Sequence, residues 1–285
     1  MPHYSQHNED QILDELLATL GLSTGFFVEF GAWDGKYLSN TFALYEKGWA
    51  GCYIEGDPRR MEALSRNCPA SRVKKVQAFV EPNGPNSLDS ILLRNDVERV
   101  DVLSIDIDGD DYRVWKGVST YHASIVVIEF NSTIPFDMRY INPLGQQHGS
   151  GALSLAELAE RNGYVLVSGT PTNLIFVERE LAKRHQIPAV TLQSIQDRVN
   201  CSRYFFGYDG TLIRLPSALR ERGIEEILVV PWADCPLPQP LPKVFRKYCD
   251  RRSALYLVRL LYGTCRSLLR NPLQTLRAAR VWRGG

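Results

Sequence analysis

The sequence predicts an α/β protein: a doubly wound, mostly parallel sheet that ends in an antiparallel hairpin and is followed by a basic helical tail. Three observations carry that expectation. Short apolar runs alternate with helix-spaced segments from residue 26 to about 166, the rhythm of a parallel sheet with helices on both faces. The last two strand-like runs, YVLVSGT and NLIFVER, are separated by only a few residues. That is too short for a parallel crossover, so they pair antiparallel. Beyond the proline-rich stretch CPLPQPLP the chain turns basic, which divides it into a body over 1–234, a linker over 235–242 and a tail over 243–285.

Each element has its own local signal. SQHNEDQILDELLATLGL places apolar residues at 12, 13, 16, 17 and 20, a helical spacing with Ser5 or Asn8 as N-cap and Gly21 as stop. GFFVEFGA is a short buried strand, and SNTFALYEKG a helix closed by Gly48. AGCYIEGD is the next strand, followed by the helix PRRMEALSRNC with Pro58 near its start. VKKVQAFV reads as a strand and NSLDSILLRN as a helix capped at Asn86 or Ser87. VDVLSIDI, DYRVWKGV and ASIVVIEFN give strand, helix and strand; SLAELAERNG is the helix before the hairpin, whose strands join through Thr170 and Pro171.

Composition excludes several classes. The chain of 285 residues is 44% hydrophobic and 23% charged, the range of an ordinary globular protein. Its net charge of +1 hides an asymmetry. From Pro242 onward there are eleven Lys or Arg and one acid, Asp250, so the tail is +10; the remainder has 22 basic and 31 acidic residues, so the body is −9. The six cysteines, Cys52, Cys68, Cys201, Cys235, Cys249 and Cys265, include no CxxC pair, which suits a reducing compartment. The start MPHYSQHNEDQ has no apolar core of a signal peptide. No run of about 18 apolar residues suggests a membrane span. A cytoplasmic location is the expectation.

Two motifs point to a nucleoside-bearing ligand. FVEFGAWDGKYLSNT follows a strand and precedes a helix, where ligands of doubly wound sheets bind. Its glycines, Gly31 and Gly35, are spaced Gly-x-x-x-Gly rather than GxGxxG, which disfavours a dinucleotide. Glu29 is placed to accept from the ammonium of an amino-acid moiety; the alternative is a tight turn with a structural glycine. In GCYIEGDP, Glu55 ends the second strand 24 residues after Gly31 (55 − 31), the place and distance of an acid that takes both ribose hydroxyls. The alternative is a surface acid opening a turn.

The aspartates of VDVLSIDIDGDD are the third feature. Asp106, Asp108, Asp110 and Asp111 crowd the end of a strand, and such a cluster repels itself unless something compensates it. An EF-hand is excluded, because its sixth and twelfth positions would be Asp111 and Gly117 rather than Gly and Glu. A divalent metal remains open. So does capping of the following helix by Asp110 and Asp111.

Together SQHNEDQIL, FVEFGAWDGKYLSNT, GWAGCYIEGDP, VDVLSIDIDGDDYRVW and VVIEFN, with the hairpin YVLVSGTPTNLIFV, resemble the FkbM-type family of S-adenosylmethionine (SAM) methyltransferases over residues 5 to about 180. SIDIDGDD departs from the family's more usual SIDVEG. The resemblance implies a Rossmann-like seven-stranded sheet of the class I methyltransferase type and O-methylation of a hydroxyl, in many relatives on sugars of surface polysaccharides. It implies SAM held by Glu29, Gly31, Asp34, Gly35, Asn40, Glu55 and Asp106. Some methyltransferases of this fold hold Mg²⁺ with acids after the fourth and fifth strands; Asp106, Asp108, Glu129 and Asn131 are the matching candidates here, and their hard oxygens suit Mg²⁺ or Mn²⁺. An alcohol oxygen must lose its proton to attack the methyl group, so a base or a metal is needed. The candidate bases are Asp108, Asp111 and His148, the last in the Gly-rich stretch NPLGQQHGSGALS.

Other features stay open. Gln6, Glu9 and Asp10 either fold over the cofactor or are solvated residues at a helix start. Phe136 and Tyr140 either stack on a sugar or belong to the core. The tail sets Leu257, Leu260, Leu261, Leu268 and Leu269 against Arg259, Arg266 and Arg270, an amphipathic pattern for an anionic membrane surface or a protein of glycan assembly. Nucleic acid is not expected, since no binding motif is present and the body is acidic. The expected acceptor is a saccharide or glycolipid. A catalytically silent scaffold of the same fold is the competing reading, and an NAD-dependent oxidoreductase a weaker third.

Overall fold

The computed structural model describes residues 4–198, the short strands at 203–206, 212–215 and 228–229, and residues 261 and 265. The linker and tail expected over 235–285 lie outside the described residues, those two positions apart. Among the described residues no helix is long and apolar enough to cross a membrane.

The seven strands expected from the apolar runs all form. They are β1 (Phe26–Phe30), β2 (Ala50–Glu55), β3 (Val73–Gln77), β4 (Val102–Ile105), β5 (Ile125–Glu129), β6 (Tyr164–Gly169) and β7 (Asn173–Glu178). They make one sheet of order β3-β2-β1-β4-β5-β7-β6. The first five are parallel, and β7 lies antiparallel to both β5 and β6. This is the class I methyltransferase layout of a Rossmann-like fold, with the order reversing between β1 and β4. That switch point opens a crevice at the carboxyl ends of the strands. The central strands read as continuous apolar runs because helices cover both faces; Val102, Ile105, Ile125, Val126, Val127 and Ile128 are fully buried.

The helices are α1 (Glu9–Thr19), α2 (Phe42–Glu46), α3 (Pro58–Asn67), α4 (Leu88–Arg94), α5 (Asp111–Gly117), α6 (Ala152–Arg161), α7 (Arg179–Arg184) and α8 (Leu192–Arg198). Leu13 and Leu17 put one stripe of α1 into the core with Phe27, Trp49 and Tyr53. Pro58 opens α3 as expected, and Asp57 caps it by accepting from Arg59 N at 2.7 Å and Arg60 N at 3.3 Å. Ser87 caps α4 by accepting from Ser90 N. Asn8 occupies the N-cap of α1 in the left-handed region (φ 68°) and makes no side-chain cap bond. The chain reverses there, so Tyr4–Asn8 folds back instead of extending the helix. Helices α7 and α8 have no counterpart in the sequence reading.

Contacts divide the chain into two compact units. One comprises 1–132 and 136–199; the other comprises 133–135 and 200–285. In the second, β8 (Arg203–Phe206), β9 (Leu212–Leu215) and β10 (Leu228–Val229) form a three-stranded antiparallel sheet of order β10-β9-β8.

Candidate active site

A cavity of about 590 Å³ lies over the carboxyl ends of the parallel strands, within the size range of small-molecule sites. Its wall follows the sheet order. Ala78–Val80 come after β3, Glu55 and Gly56 end β2, Gly31–Trp33 come after β1, Asp106–Asp110 after β4, and Glu129 ends β5. Glu29 of β1, Tyr37–Ser39, Arg60 of α3, Gln6 from the N-terminal segment and Gly145–Gln147 from the loop after β5 also line it.

The β1–β2 side is a set of satisfied carboxylates. Glu29, 5% exposed, accepts from Ser39 Oγ at 2.7 Å, Thr41 Oγ1 at 2.5 Å and Asn40 N at 3.1 Å. Burial pushes its pKa up, and these donors oppose the shift. Glu55 accepts from Trp33 N and Asp57 N, each at 2.8 Å. It thereby fixes the loop after β1, while its carboxylate still faces the cavity with acceptor capacity for a diol. Gly31 lies at φ 75°, and a Cβ there would fall 1.5 Å from the Asp106 carbonyl oxygen. Only a residue without a side chain lets the loops after β1 and β4 meet.

Three expected cofactor residues do not line the cavity. Gly35, also left-handed (φ 76°), packs on α3; a Cβ would sit 2.9 Å from Cys68 Sγ and 3.1 Å from Leu64. Asp34 accepts from Lys36 N at 3.0 Å and Tyr37 N at 2.7 Å, closing the local turn. Asn40 is buried and donates to Ser104 Oγ at 3.0 Å. These residues hold the loop rather than face a ligand. The left-handed turns at Trp33 (φ 51°) and Gly35 redirect the side chains that follow.

The structure adds residues that the sequence reading missed. Trp33 lines the cavity at 44% exposure, and the Arg60 guanidinium lies 3.4 Å from its ring centroid, a cation–π stack. Phe79 stands 71% exposed beside Gly56. The exposed aromatic in the Gly-rich loop was the available signal for Trp33. Arg60 lies on α3, and its approach needs the tertiary fold.

The β4–β5 side is the opposite: carboxylates facing one another. Donor atoms of Asp106, Asp108 and Glu129 all lie within 4.8 Å. Asp106 and Glu129 face each other at close range. Burial, then Asp111 and Asp108, push the Asp106 carboxyl up, and burial, then Asp106, pushes Glu129 up. Asp108 is exposed and left-handed at φ 59°. Three hard oxygens at this separation fit one divalent cation bonded at about 2.0–2.6 Å.

Asn131, the expected fourth metal ligand, does not line the cavity. Its side-chain N–H donates to the His148 carbonyl and clamps the loop after β5. Asp111, 1% exposed, accepts from Ile107 N at 2.8 Å and Gly109 N at 2.9 Å. It braces the aspartate loop, which argues against its being the base and against its capping α5. Asp110 occupies that N-cap position and makes no side-chain cap bond; it accepts from Gly145 N at 3.3 Å. His148 is half-buried and lies off the cavity wall, so of the three candidate bases Asp108 alone faces the space. Phe136 is core, edge-on to Phe130 at 5.2 Å. Tyr140 also lies off the wall, its N–H held by Ser154 Oγ.

No protein-family model matches this sequence, and no curated protein matches it. Among solved structures, it is similar to a TehB-like SAM-dependent methyltransferase from Corynebacterium glutamicum (13% identity, 60% of this chain and 88% of that one, TM-score 0.39). It is also similar to a SAM-dependent methyltransferase from Clostridium acetobutylicum (7%, 60% and 92%, 0.41). A third is the 1,6-didemethyltoxoflavin-N1-methyltransferase of Burkholderia thailandensis, which holds S-adenosylhomocysteine (14%, 60% and 77%, 0.39).

Proposed function

We propose that the protein is a SAM-dependent O-methyltransferase of the FkbM type that methylates a saccharide hydroxyl, assisted by Mg²⁺ or Mn²⁺. One observation carries the reading: one cavity over the switch point is lined by Glu55 at the end of β2 and by the clustered carboxylates Asp106, Asp108 and Glu129 at the ends of β4 and β5. Glu55 takes the ribose hydroxyls, and Gly31 gives the backbone room to approach. Asp106, Asp108 and Glu129 would hold the divalent ion, whose charge lowers the pKa of a bound hydroxyl. Asp108, exposed on the cavity wall, would take the hydroxyl proton on its carboxylate. The resulting alkoxide attacks the methyl carbon, the carbon–sulfur bond breaks, and sulfur keeps the electron pair as the thioether of S-adenosylhomocysteine. Such a transfer needs oxygen, carbon and sulfur in line, an alignment that the cavity walls would have to supply. In this reading the enzyme works in the cytoplasm, and the basic tail over 243–285 docks it on an anionic membrane surface or a glycan-assembly protein, beside a lipid-linked acceptor.

Isothermal titration of the EDTA-treated protein tests this directly. Expected are micromolar binding of S-adenosylhomocysteine and a separate heat for Mn²⁺ that Asp108→Asn removes. Transfer of labelled methyl from SAM to a lipid-linked glycan fraction, dependent on Mg²⁺ or Mn²⁺, tests the acceptor class. Cofactor binding without transfer to any glycan would favour the silent scaffold. Absence of cofactor binding would remove the methyltransferase reading.

A further inference from the structure

The start of the chain carries two acids that are buried without an evident core role. Glu9 is fully buried and Asp10 is 4% exposed, although both sit in the first turn of α1, where acids are ordinarily solvated and need only favour the helix dipole. Their partners show what they do. Glu9 Oε1 accepts from Thr170 Oγ1 at 2.6 Å and Asn173 Nδ2 at 3.0 Å, in the turn of the β6–β7 hairpin, while Oε2 accepts from His7 N at 2.8 Å. Asp10 accepts from Tyr4 N and Ser5 Oγ, each at 2.8 Å. With the reversal at Asn8, these bonds hold Tyr4–Asn8 as a strap. Ser5 bridges to Leu38, and Tyr4 packs edge-on against Phe42 at 4.7 Å. The strap places Gln6 in the cavity wall beside Leu38 and Ser39.

The position of Gln6 along the wall limits what it meets. Leu38, Ser39 and Glu29 belong to the β1 sector, between Glu55 of β2 and Asp106 after β4. On the cofactor reading above, Glu55 takes the ribose and the reacting methyl faces Asp108, so the aminoacyl arm lies in the β1 sector. That arm ends in an ammonium and a carboxylate. The Glu29 oxygens already accept three protein donors. Among the described residues lining the cavity, Arg60 is the one cation, and it is stacked on Trp33. A carboxamide both donates and accepts, which suits an α-amino acid group.

We infer that Tyr4–Asn8 is a binding strap in which Gln6 holds the α-amino-acid end of the cofactor, with Glu9 and Asp10 as the positioning residues that fix it. The inference rests on the SAM reading and adds a binding residue from outside the sheet.

Titrations with two ligands test it. S-Adenosylhomocysteine carries the aminoacyl arm; 5′-methylthioadenosine keeps the nucleoside and lacks it. Gln6→Ala and Gln6→Glu, on an exposed side chain, should lower affinity for the former about 10- to 100-fold, as for a lost hydrogen bond to a charged group. Affinity for 5′-methylthioadenosine should stay within about twofold. Glu9→Gln should show the same selective loss, and the Gln6 variants decide the matter if it fails to fold. A wild-type protein that binds both ligands, with Gln6 variants that leave their ratio unchanged, would overturn the strap's role and spare the cofactor reading. A wild-type protein that binds neither would sink the cofactor reading and this inference with it.

Discussion

The two sides of the cavity use the same functional group at the same end of the same sheet, in opposite states. On the β1–β2 side each carboxylate is met by donors: Glu29 by two hydroxyls and an N–H, Glu55 by two N–H groups. On the β4–β5 side Asp106, Asp108 and Glu129 face one another within 4.8 Å. Desolvation acts on both sides; what differs is the compensation. A carboxylate fixed by backbone N–H groups is a preorganised acceptor for hydroxyls. Carboxylates fixed against one another form a site whose charge a cation would satisfy. On the proposed reading, the first side takes the nucleoside and the second the reacting end.

The largest expected effect comes where the sides touch. Gly31→Ala puts a Cβ 1.5 Å from the Asp106 carbonyl oxygen at a residue with φ 75°. The loops after β1 and β4 would have to separate, at a cost of at least about 3 kcal/mol from strain and lost packing. Urea denaturation should show a large fall in midpoint, and the variant should lose both cofactor and metal binding. Retention of either ligand with unchanged stability would mean that the sides are independent and the comparison is one of two sites.

A matched pair of substitutions sharpens the contrast, because their stability effects should have opposite signs. Glu55→Gln replaces a carboxylate that accepts two N–H groups, so it should lower the thermal midpoint at neutral pH and cut S-adenosylhomocysteine affinity about 100-fold. Glu129→Gln removes a carboxyl whose pKa is raised above its unfolded value. Such a group stays protonated in the folded chain after the unfolded chain has released its proton. Stability is then fully present below the unfolded value near 4 and is lost as pH rises toward the folded value. In EDTA the wild-type midpoint should therefore fall from about pH 5 to pH 8, the lower part of that window. Glu129→Gln should exceed it by about 3–6 °C at pH 8 and by little at pH 5. Mn²⁺ should raise the wild-type midpoint but not that of the variant. Scanning fluorimetry across pH reads all of this; destabilisation by Glu129→Gln at pH 8 would show that the second side is as well compensated as the first.

Much of this site was legible because strand ends are legible. Buried parallel strands read as apolar runs, and the first polar residue past each run lies at the crevice. That rule brings Glu55, Asp106 and Glu129 to the wall, which Glu29 from inside β1 and Asp108 from beyond Asp106 also line. It fails one step further along. Asn131 follows β5 by two positions, yet its amide is taken by the returning loop. Asp34, Gly35 and Asn40 belong to the right motif and face the wrong way, because left-handed residues turn the loop between them. The strap was legible only as one of two alternatives for Gln6, Glu9 and Asp10, and long-range contacts decide between them. The burial of Glu9 is made by Thr170 and Asn173, whose separations in the chain are 161 and 164 residues. No local pattern at the N-terminus carries that information.

The smallest expected effect tests the boundary of the second side. His148 sits in a Gly-rich loop beside the cavity, where a histidine reads as a base. The structure keeps Gln146 and Gln147 of that loop on the wall and His148 off it, its carbonyl accepting from Asn131. That contact uses the backbone, so His148→Ala leaves it in place. Methyl transfer by this variant should stay within about twofold of wild type across pH 6–9, whereas loss of a true general base costs about 10²- to 10⁴-fold. Asp108→Asn should show the larger loss, since its carboxylate faces the space. A fall in the His148→Ala rate confined to pH above the histidine range, near 6.5, would move the base to the loop after β5. It would leave Asp108 as a ligand alone, with proton transfer and charge compensation carried by different elements of the same rim.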